Sequence, residues 1–318
     1  MNKHERGISF IVPAYNEEGG ITGTLDRLNT VLTASGLPYE IIVVNDGSSD
    51  KTAERAAVCA NVTIIYHPTN IGYGGAIKTG IMYAKYPWIG ITDADGTYPV
   101  EKVPDLLAEM EKGFDMVVAK RENIDQHDSF TKMFFRRIFK SIINFTVHGD
   151  IQDPNSGLRI FKREMALSYF PFLCNTFSFT TSITILAFGE GRFVRYLPVK
   201  YEKRTGIGKV RHFRDSLYAM EIIVQGITFY NPIKFFMLFS IGIIALVCFP
   251  AMLMALFKMH TLSLYYMIFG SLVSVLVAIG ILGDIIRVSG AVRNGTGGPF
   301  TQRNLKVEYG RARTGQDR

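Results

Sequence analysis

Residues 8–14, ISFIVPA, are an unbroken apolar run that ends in Tyr15-Asn16-Glu17-Glu18. A half-exposed strand alternates apolar and polar side chains, so a run without alternation is expected to be buried on both faces, as in a parallel sheet between two layers of helix. The flanking sequence repeats the pattern. Ile21, Leu25, Leu28 and Leu32 share one helical face, and Gly36 and Pro38 stop it. YEIIVV (39–44), VTIIY (62–66), WIGIT (88–92) and DMVVA (115–119) read as four further strands. Ser49-Asp50 opens a helix after the second strand, residues 77–85 are part of a helix after the third, and Val103–Glu111 supply one after the fourth. Regular alternation of this kind means an α/β fold with a mostly parallel sheet and right-handed crossovers, which puts function at the carboxyl ends of the strands.

The polar clusters fall at those ends. They are Pro13-Ala14-Tyr15-Asn16-Glu17, Asn45-Asp46-Gly47-Ser48, Asp93-Ala94-Asp95 and, further on, Asp153-Pro154-Asn155-Ser156-Gly157-Leu158-Arg159. A DxD pair is common by chance; its place at the end of a buried strand is what gives it meaning. Two carboxylates leaving such a strand can hold a hard divalent cation, which in turn can bridge a diphosphate. Gly72-Tyr73-Gly74-Gly75 lacks the GxGxxG spacing of a dinucleotide loop, and His67 and the other five histidines show no metal-ligand spacing. No GxSxG and no P-loop occurs.

The chain has 318 residues, 47% hydrophobic, with a formal net charge of +7. Three scattered cysteines exclude a disulfide framework. A mean hydropathy of +0.15 is high for so many charges, and the apolar residues are concentrated. Residues 235–257 and 262–283 carry no charge and are each long enough, as helices, for the ~30 Å hydrocarbon layer. Four residues separate them, which implies a transmembrane hairpin. Seven Lys/Arg against three Asp/Glu follow it in 284–318, and eight basic residues against Glu202 alone occupy 192–214. The positive-inside rule then puts the 230-residue head and both termini in the cytoplasm. MNKHERGISF shows no signal-peptide core. Residues 128–147, and 211–231 just before the hairpin, read as amphipathic helices lying on the bilayer. The expected organisation is an α/β domain over 1–210, a juxtamembrane helix over 211–231, the hairpin over 232–289 and a cytoplasmic basic tail over 290–318.

Taken in order, IVPAYNEE, IIVVNDGSSDKT, NIGYGGAIKTG, ITDADGTYP and DPNSGLRIFKRE resemble the inverting family 2 glycosyltransferases of GT-A fold (Rossmann-like). The likeness is to their membrane-bound polyprenyl-phosphate branch, which includes dolichyl-phosphate mannose synthase and undecaprenyl-phosphate glucosyltransferases. The resemblance is strong over residues 8–165. It implies that Pro13, Tyr15 and Glu17 line the base and ribose, that Asp46 accepts a bond from the base, and that Asp93, Ala94 and Asp95 meet the nucleotide. Asp93 and Asp95 would bind Mg²⁺ or Mn²⁺ and Asp95 act in catalysis. Arg121, Arg137, Ser141, Arg204 and Lys209 match positions gripping the acceptor phosphate, and Asp153 an acid beside the reacting centre. Two departures stand out: Thr97 where many relatives carry Gln, and FSFTTS (177–182) where relatives often have an acid. On a helical wheel Arg137 and Ser141 are i,i+4 neighbours on an apolar arc, where an arginine calls for an anion.

The implied partners are a nucleotide-sugar donor, a polyprenyl-phosphate acceptor and the bilayer, with no nucleic acid; association between copies is left open. UDP-glucose, GDP-mannose, UDP-N-acetylglucosamine and a modified UDP-pentose all remain open as donors. The rivals are a transferase to a sugar or protein hydroxyl and a non-catalytic membrane scaffold. A processive polysaccharide synthase would need more spans and a QxxRW segment, which is absent.

Overall fold

Eight strands form one mixed sheet in the order β7-β5-β6-β4-β1-β2-β3-β8. The computed structural model describes residues 6–122, 137, 141, 144, 149–176, 178–201, 232–293 and 305–309. Strands β1 (Ile8–Ala14), β2 (Tyr39–Asn45), β3 (Val62–Tyr66) and β4 (Trp88–Ile91) alternate with helices α1 (Ile21–Ala34), α2 (Thr52–Ala57) and α3 (Tyr73–Tyr83). β1 pairs in parallel with both β2 and β4, and β2 with β3. All seven residues of β1 are buried, as its unbroken apolar run requires. The chain thus leaves β1 for β2 on one side and later returns on the other to add β4. That reversal opens a crevice above the carboxyl ends of β1 and β4.

The mostly parallel expectation holds for this half. Beyond α4 (Val103–Glu111), β5 (Met116–Arg121) pairs in parallel with β7 (Val194–Val199), but β6 (Arg159–Lys162) lies antiparallel between β4 and β5. Its direction brings the Asp153–Leu158 loop to the same sheet end as Asp93. Helices α5 (Arg163–Ser168) and α6 (Phe179–Gly189) follow. Helix α3, expected to include residues 77–85, starts at Tyr73 and ends at Tyr83. Its glycines act in close packing rather than in a turn: a side-chain carbon at Gly74 would meet the carbonyl of Cys174.

Within the stretch 290–318, expected from the sequence as a tail, Lys306–Tyr309 form β8, antiparallel to β3. The Tyr66 hydroxyl donates to Glu308 at 2.5 Å, and the Lys306 ammonium sits 4.7 Å from the Tyr66 ring centroid. The open edge that a last parallel strand would leave is closed by the chain itself.

The chain divides into two units, 1–220 with 298–318, and 221–297. The second holds two helices long and apolar enough to cross a membrane, with spans at Phe239–Leu256 and His260–Gly283. The first runs as α7 (Pro232–Ile243), a π-helical turn (Ile244–Cys248) and α8 (Phe249–Leu256); the second is α9 (His260–Arg293). The π turn has a local cause. Pro250 has no N–H for the Leu246 carbonyl four residues back, and the Tyr266 hydroxyl of α9 donates to that carbonyl at 2.8 Å. Ser263 donates likewise to the Ala251 carbonyl, and Gly270 lets the helices close on Val247, 2.6 Å from where a Cβ would stand. The helices expected over 128–147 and 211–231 lie outside the described residues, apart from Arg137, Ser141 and Asn144, which are helical.

Candidate active site

The loops after β1 and β2 are stitched together. Pro13 and Ala14 pair with Val44 and Asn45. Beyond them the Asn16 amide donates to Ser48 Oγ, the Glu17 amide to Thr52 Oγ1, and the Ser49 amide to Asn16 Oδ1. Asn16 adopts φ 52°, a left-handed conformation that asparagine tolerates. Tyr15 is exposed at 38% and Glu17 half-buried. The polar residues of IVPAYNEE and NDGSSDKT therefore first build a rim, on which Tyr15 is an exposed aromatic side chain.

Asp46 is turned inward. It is only 3% exposed; its Oδ1 accepts from the Ile71 amide at 3.0 Å and lies 2.7 Å from His67 Nδ1, and its Oδ2 accepts from the Gly72 amide at 2.9 Å. His67 Nε2 lies 2.9 Å from Thr79 Oγ1. Sequence reasoning set His67 aside with the scattered histidines, since its partners come from two other elements and leave no local signature.

Asp93 and Asp95 leave β4 into the crevice, both half-buried. The Tyr73 hydroxyl donates to Asp93 Oδ1 at 3.0 Å. The amide and hydroxyl of Thr97 donate to Asp95 Oδ1 at 3.1 and 2.7 Å. Thr97 thus orients Asp95 at the position where many relatives carry Gln. Gly157 lies against Asp93, where a side-chain carbon would stand 2.8 Å from both carboxylate oxygens; its amide donates to the Tyr98 hydroxyl at 2.7 Å. Among the described residues no group of three His, Cys, Asp or Glu forms a protein cage for a metal. Two oriented carboxylates suit Mg²⁺ or Mn²⁺, hard cations held by one or two carboxylates with phosphate oxygens completing the shell. The donor set fits.

Arg121 and Asp153, to which the resemblance assigns separate tasks, are partners. The guanidinium meets both carboxylate oxygens at 2.8 Å and the Arg121 amide adds a bond at 3.1 Å, with the side chains 15% and 10% exposed. Burial alone would raise the Asp153 carboxyl, but the bonds and charge of Arg121 hold it below the usual carboxylate range. The guanidinium also lies 5.5 Å from the Tyr201 ring centroid, and Tyr201 packs edge-on to Tyr98. Asp93, Gly157, Tyr98, Tyr201, Arg121 and Asp153 are therefore one continuous wall.

Arg159 locks this wall from behind. It is fully buried and donates to the carbonyls of Pro154, Ser156 and Thr180 and to Thr184 Oγ1. Thr181 donates to Asn155. The FSFTTS departure thus has a structural role, its hydroxyls and carbonyls holding the DPNSG loop. Arg137 and Ser141 are exposed; Arg204 and Lys209 lie outside the described residues.

The family model "Glycosyl transferase family 2" matches residues 9–170, just over half of the 318. Among curated proteins, undecaprenyl-phosphate 4-deoxy-4-formamido-L-arabinose transferase of Yersinia pestis is 28% identical over 250 residues, covering 72% of this chain and 76% of the relative. Among solved structures, glucosyl-3-phosphoglycerate synthase of Mycobacterium tuberculosis with UDP superposes with TM-score 0.59 at 20% identity, covering 71% of this chain and 81% of that one. The same enzyme has also been crystallised with Mn²⁺, UDP-glucose and phosphoglyceric acid. At that identity the likeness shows the fold, a GT-A-like α/β domain.

Proposed function

The chain belongs to glycosyl transferase family 2, and from that premise we propose that it transfers a sugar from a nucleoside diphosphate sugar, of the UDP-glucose or GDP-mannose type, to a membrane polyprenyl phosphate with inversion. The observation that carries this reading is the continuous wall joining the Asp93–Asp95 pair to Arg121 and Asp153. It sets an anchor for a diphosphate beside the Arg121 guanidinium, whose Nε and Nη2 Asp153 already holds and whose Nη1 would meet a second anion. Two apolar helices in the same chain suit an acceptor that lives in a bilayer, and the Yersinia relative is named for transfer to undecaprenyl phosphate.

The donor's base and ribose rest on Pro13, Tyr15 and Glu17, with Asp46 shaping the corner behind them and Ala94 beside the nucleotide. Asp93 and Asp95 would hold a divalent cation, Mg²⁺ or Mn²⁺, which supplies charge neutralisation for the departing nucleoside diphosphate. Arg121 grips the acceptor phosphate, with Arg137, Ser141, Arg204 and Lys209 completing the grip, and Asp153 holds Arg121 in register. A phosphate monoester has a second pKa near about 6, so its oxygen is nucleophilic at neutral pH without a base. That accords with a wall whose one deep acid is committed to an ion pair. The catalytic unit and the residues after the hairpin face the cytoplasm, the side where nucleotide sugars are made.

The test is transfer from a panel of radiolabelled UDP- and GDP-sugars, a UDP-pentose included, by the full chain in detergent. Polyprenyl phosphate should become labelled, and EDTA should stop it. Equal labelling of the corresponding polyprenol would overturn the phosphate acceptor; labelling of neither lipid by any donor would overturn the transferase reading.

A further inference from the structure

His67 and Thr79 have no part in the sites assigned above, yet they stand behind Asp46 of the donor crevice. Loop 69–72 is held from two directions by consecutive residues of the β2 turn. Asp46 takes the amides of Ile71 and Gly72. Gly47, at φ +71°, lies so close beneath the loop that a side-chain carbon would stand 2.9 Å from the Asn70 amide nitrogen. Behind Asp46 stands His67, 6% exposed, whose own amide donates to the Asn45 carbonyl at 2.9 Å. His67 Nδ1 faces Asp46 Oδ1, and its Nε2 faces Thr79 Oγ1. Thr79 and Tyr73 both belong to α3. The helix is thus fixed at its entry through Ile71 and Gly72 and again six residues on through Thr79. Its first residue, Tyr73, then places a hydroxyl on Asp93 Oδ1 at 3.0 Å.

We propose that Asp46, His67 and Thr79 are positioning residues: a buried relay that holds the entrance of α3 so that the Tyr73 hydroxyl orients Asp93 for the divalent cation. This deepens the donor-binding reading above and rests on it. Such outer partners set carboxylate orientation, and losing one typically weakens metal binding about 10- to 100-fold. A histidine that merely filled the core would leave metal affinity unchanged once the protein had folded.

The experiment titrates Mn²⁺ into the full chain in detergent, with UDP or GDP as the donor panel selects, following the free Mn²⁺ signal by electron paramagnetic resonance. Tyr73→Phe should raise the Mn²⁺ dissociation constant about tenfold or more. His67→Gln and Thr79→Val should each raise it by a smaller factor. Either of these combined with Tyr73→Phe should be no worse than Tyr73→Phe alone, because the relay acts only through that hydroxyl. Should His67→Gln fail to fold, Thr79→Val, which removes one hydroxyl at constant shape, decides the matter. Additive losses, or unchanged Mn²⁺ affinity in folded Thr79→Val, would overturn the relay. An unmutated chain that takes up no Mn²⁺ with either nucleotide would overturn the donor reading as well.

Discussion

Replacing Asp153 with asparagine keeps the shape of the side chain and removes the charge that faces Arg121. The guanidinium then stays 15% exposed, with no carboxylate in reach of its Nε and Nη2. Removing one member of a buried ion pair costs about 3–5 kcal/mol. The asparagine oxygen still accepts one bond, so a loss near about 3 kcal/mol is the reasonable figure. For a domain of this size each 1 kcal/mol moves the melting temperature by about 2–4 °C, which gives a fall of roughly 6–12 °C. The assay is thermal unfolding of the purified chain without ligands, for Asp153→Asn, Arg121→Gln and the double variant. The double should recover part of the loss, since it leaves no lone charge. Turnover should stay low in all three, because the pair also forms the anion-binding wall. A melting temperature within 2 °C of the parent in Asp153→Asn, or strictly additive losses, would refute the pairing.

Three further outcomes follow from the same structure. Asp95→Asn should lower turnover by about 10²-fold or more, the scale of one transition-state electrostatic contact, in initial-rate measurements with labelled donor. Lys78 is 4% exposed, donates to the Leu173 carbonyl and Asn175 Oδ1, and is pulled by burial from 10.5 to about 8. Between those values the unfolded chain binds the extra proton, so stability should rise as pH rises from 8 to 10.5. Lys78→Met should flatten that rise in melts taken across the range. Tyr266→Phe leaves the Leu246 carbonyl without the donor that replaces the Pro250 amide, and should cost about 0.6–1.7 kcal/mol in detergent unfolding, whereas Tyr265→Phe should cost nothing measurable.

The alternating half of the sheet was legible because each element declares itself locally: ISFIVPA and YEIIVV need no distant partner to read as buried strands. What stayed hidden depends on pairs far apart in the chain. RIFK is too short to signal a strand, and its antiparallel direction comes from pairing with β4 and β5. KVEY gains its place only from β3, some 240 residues earlier. In the site, Asp93, Asp95, Arg121 and Asp153 were each recognisable as chemical groups, yet the bond between Arg121 and Asp153 spans 32 residues and has no trace in spacing. Asp46 read as a residue facing a base; its inward bonds emerged only when β3 and α3 brought His67 and Thr79 beside it. Gly72 and Gly74 of NIGYGGAIKTG lie at a helix start squeezed against residues 174–176, a contact that nothing in the local sequence announces.

The eighth strand has a consequence for how the molecule is made. At about 5–20 residues per second, roughly 12–48 s separate the synthesis of Tyr66 from that of Lys306, its neighbour in the sheet. Both apolar helices emerge in that interval. The nascent catalytic unit must therefore wait with β3 as a bare edge, open to pairing with any passing strand, until Lys306–Tyr309 leave the ribosome. An expression design that deletes residues 294–318, or that tethers them to a bulky fusion, would make this temporary exposure permanent. The yield of monodisperse protein should then fall for reasons that have nothing to do with the chemistry of the site.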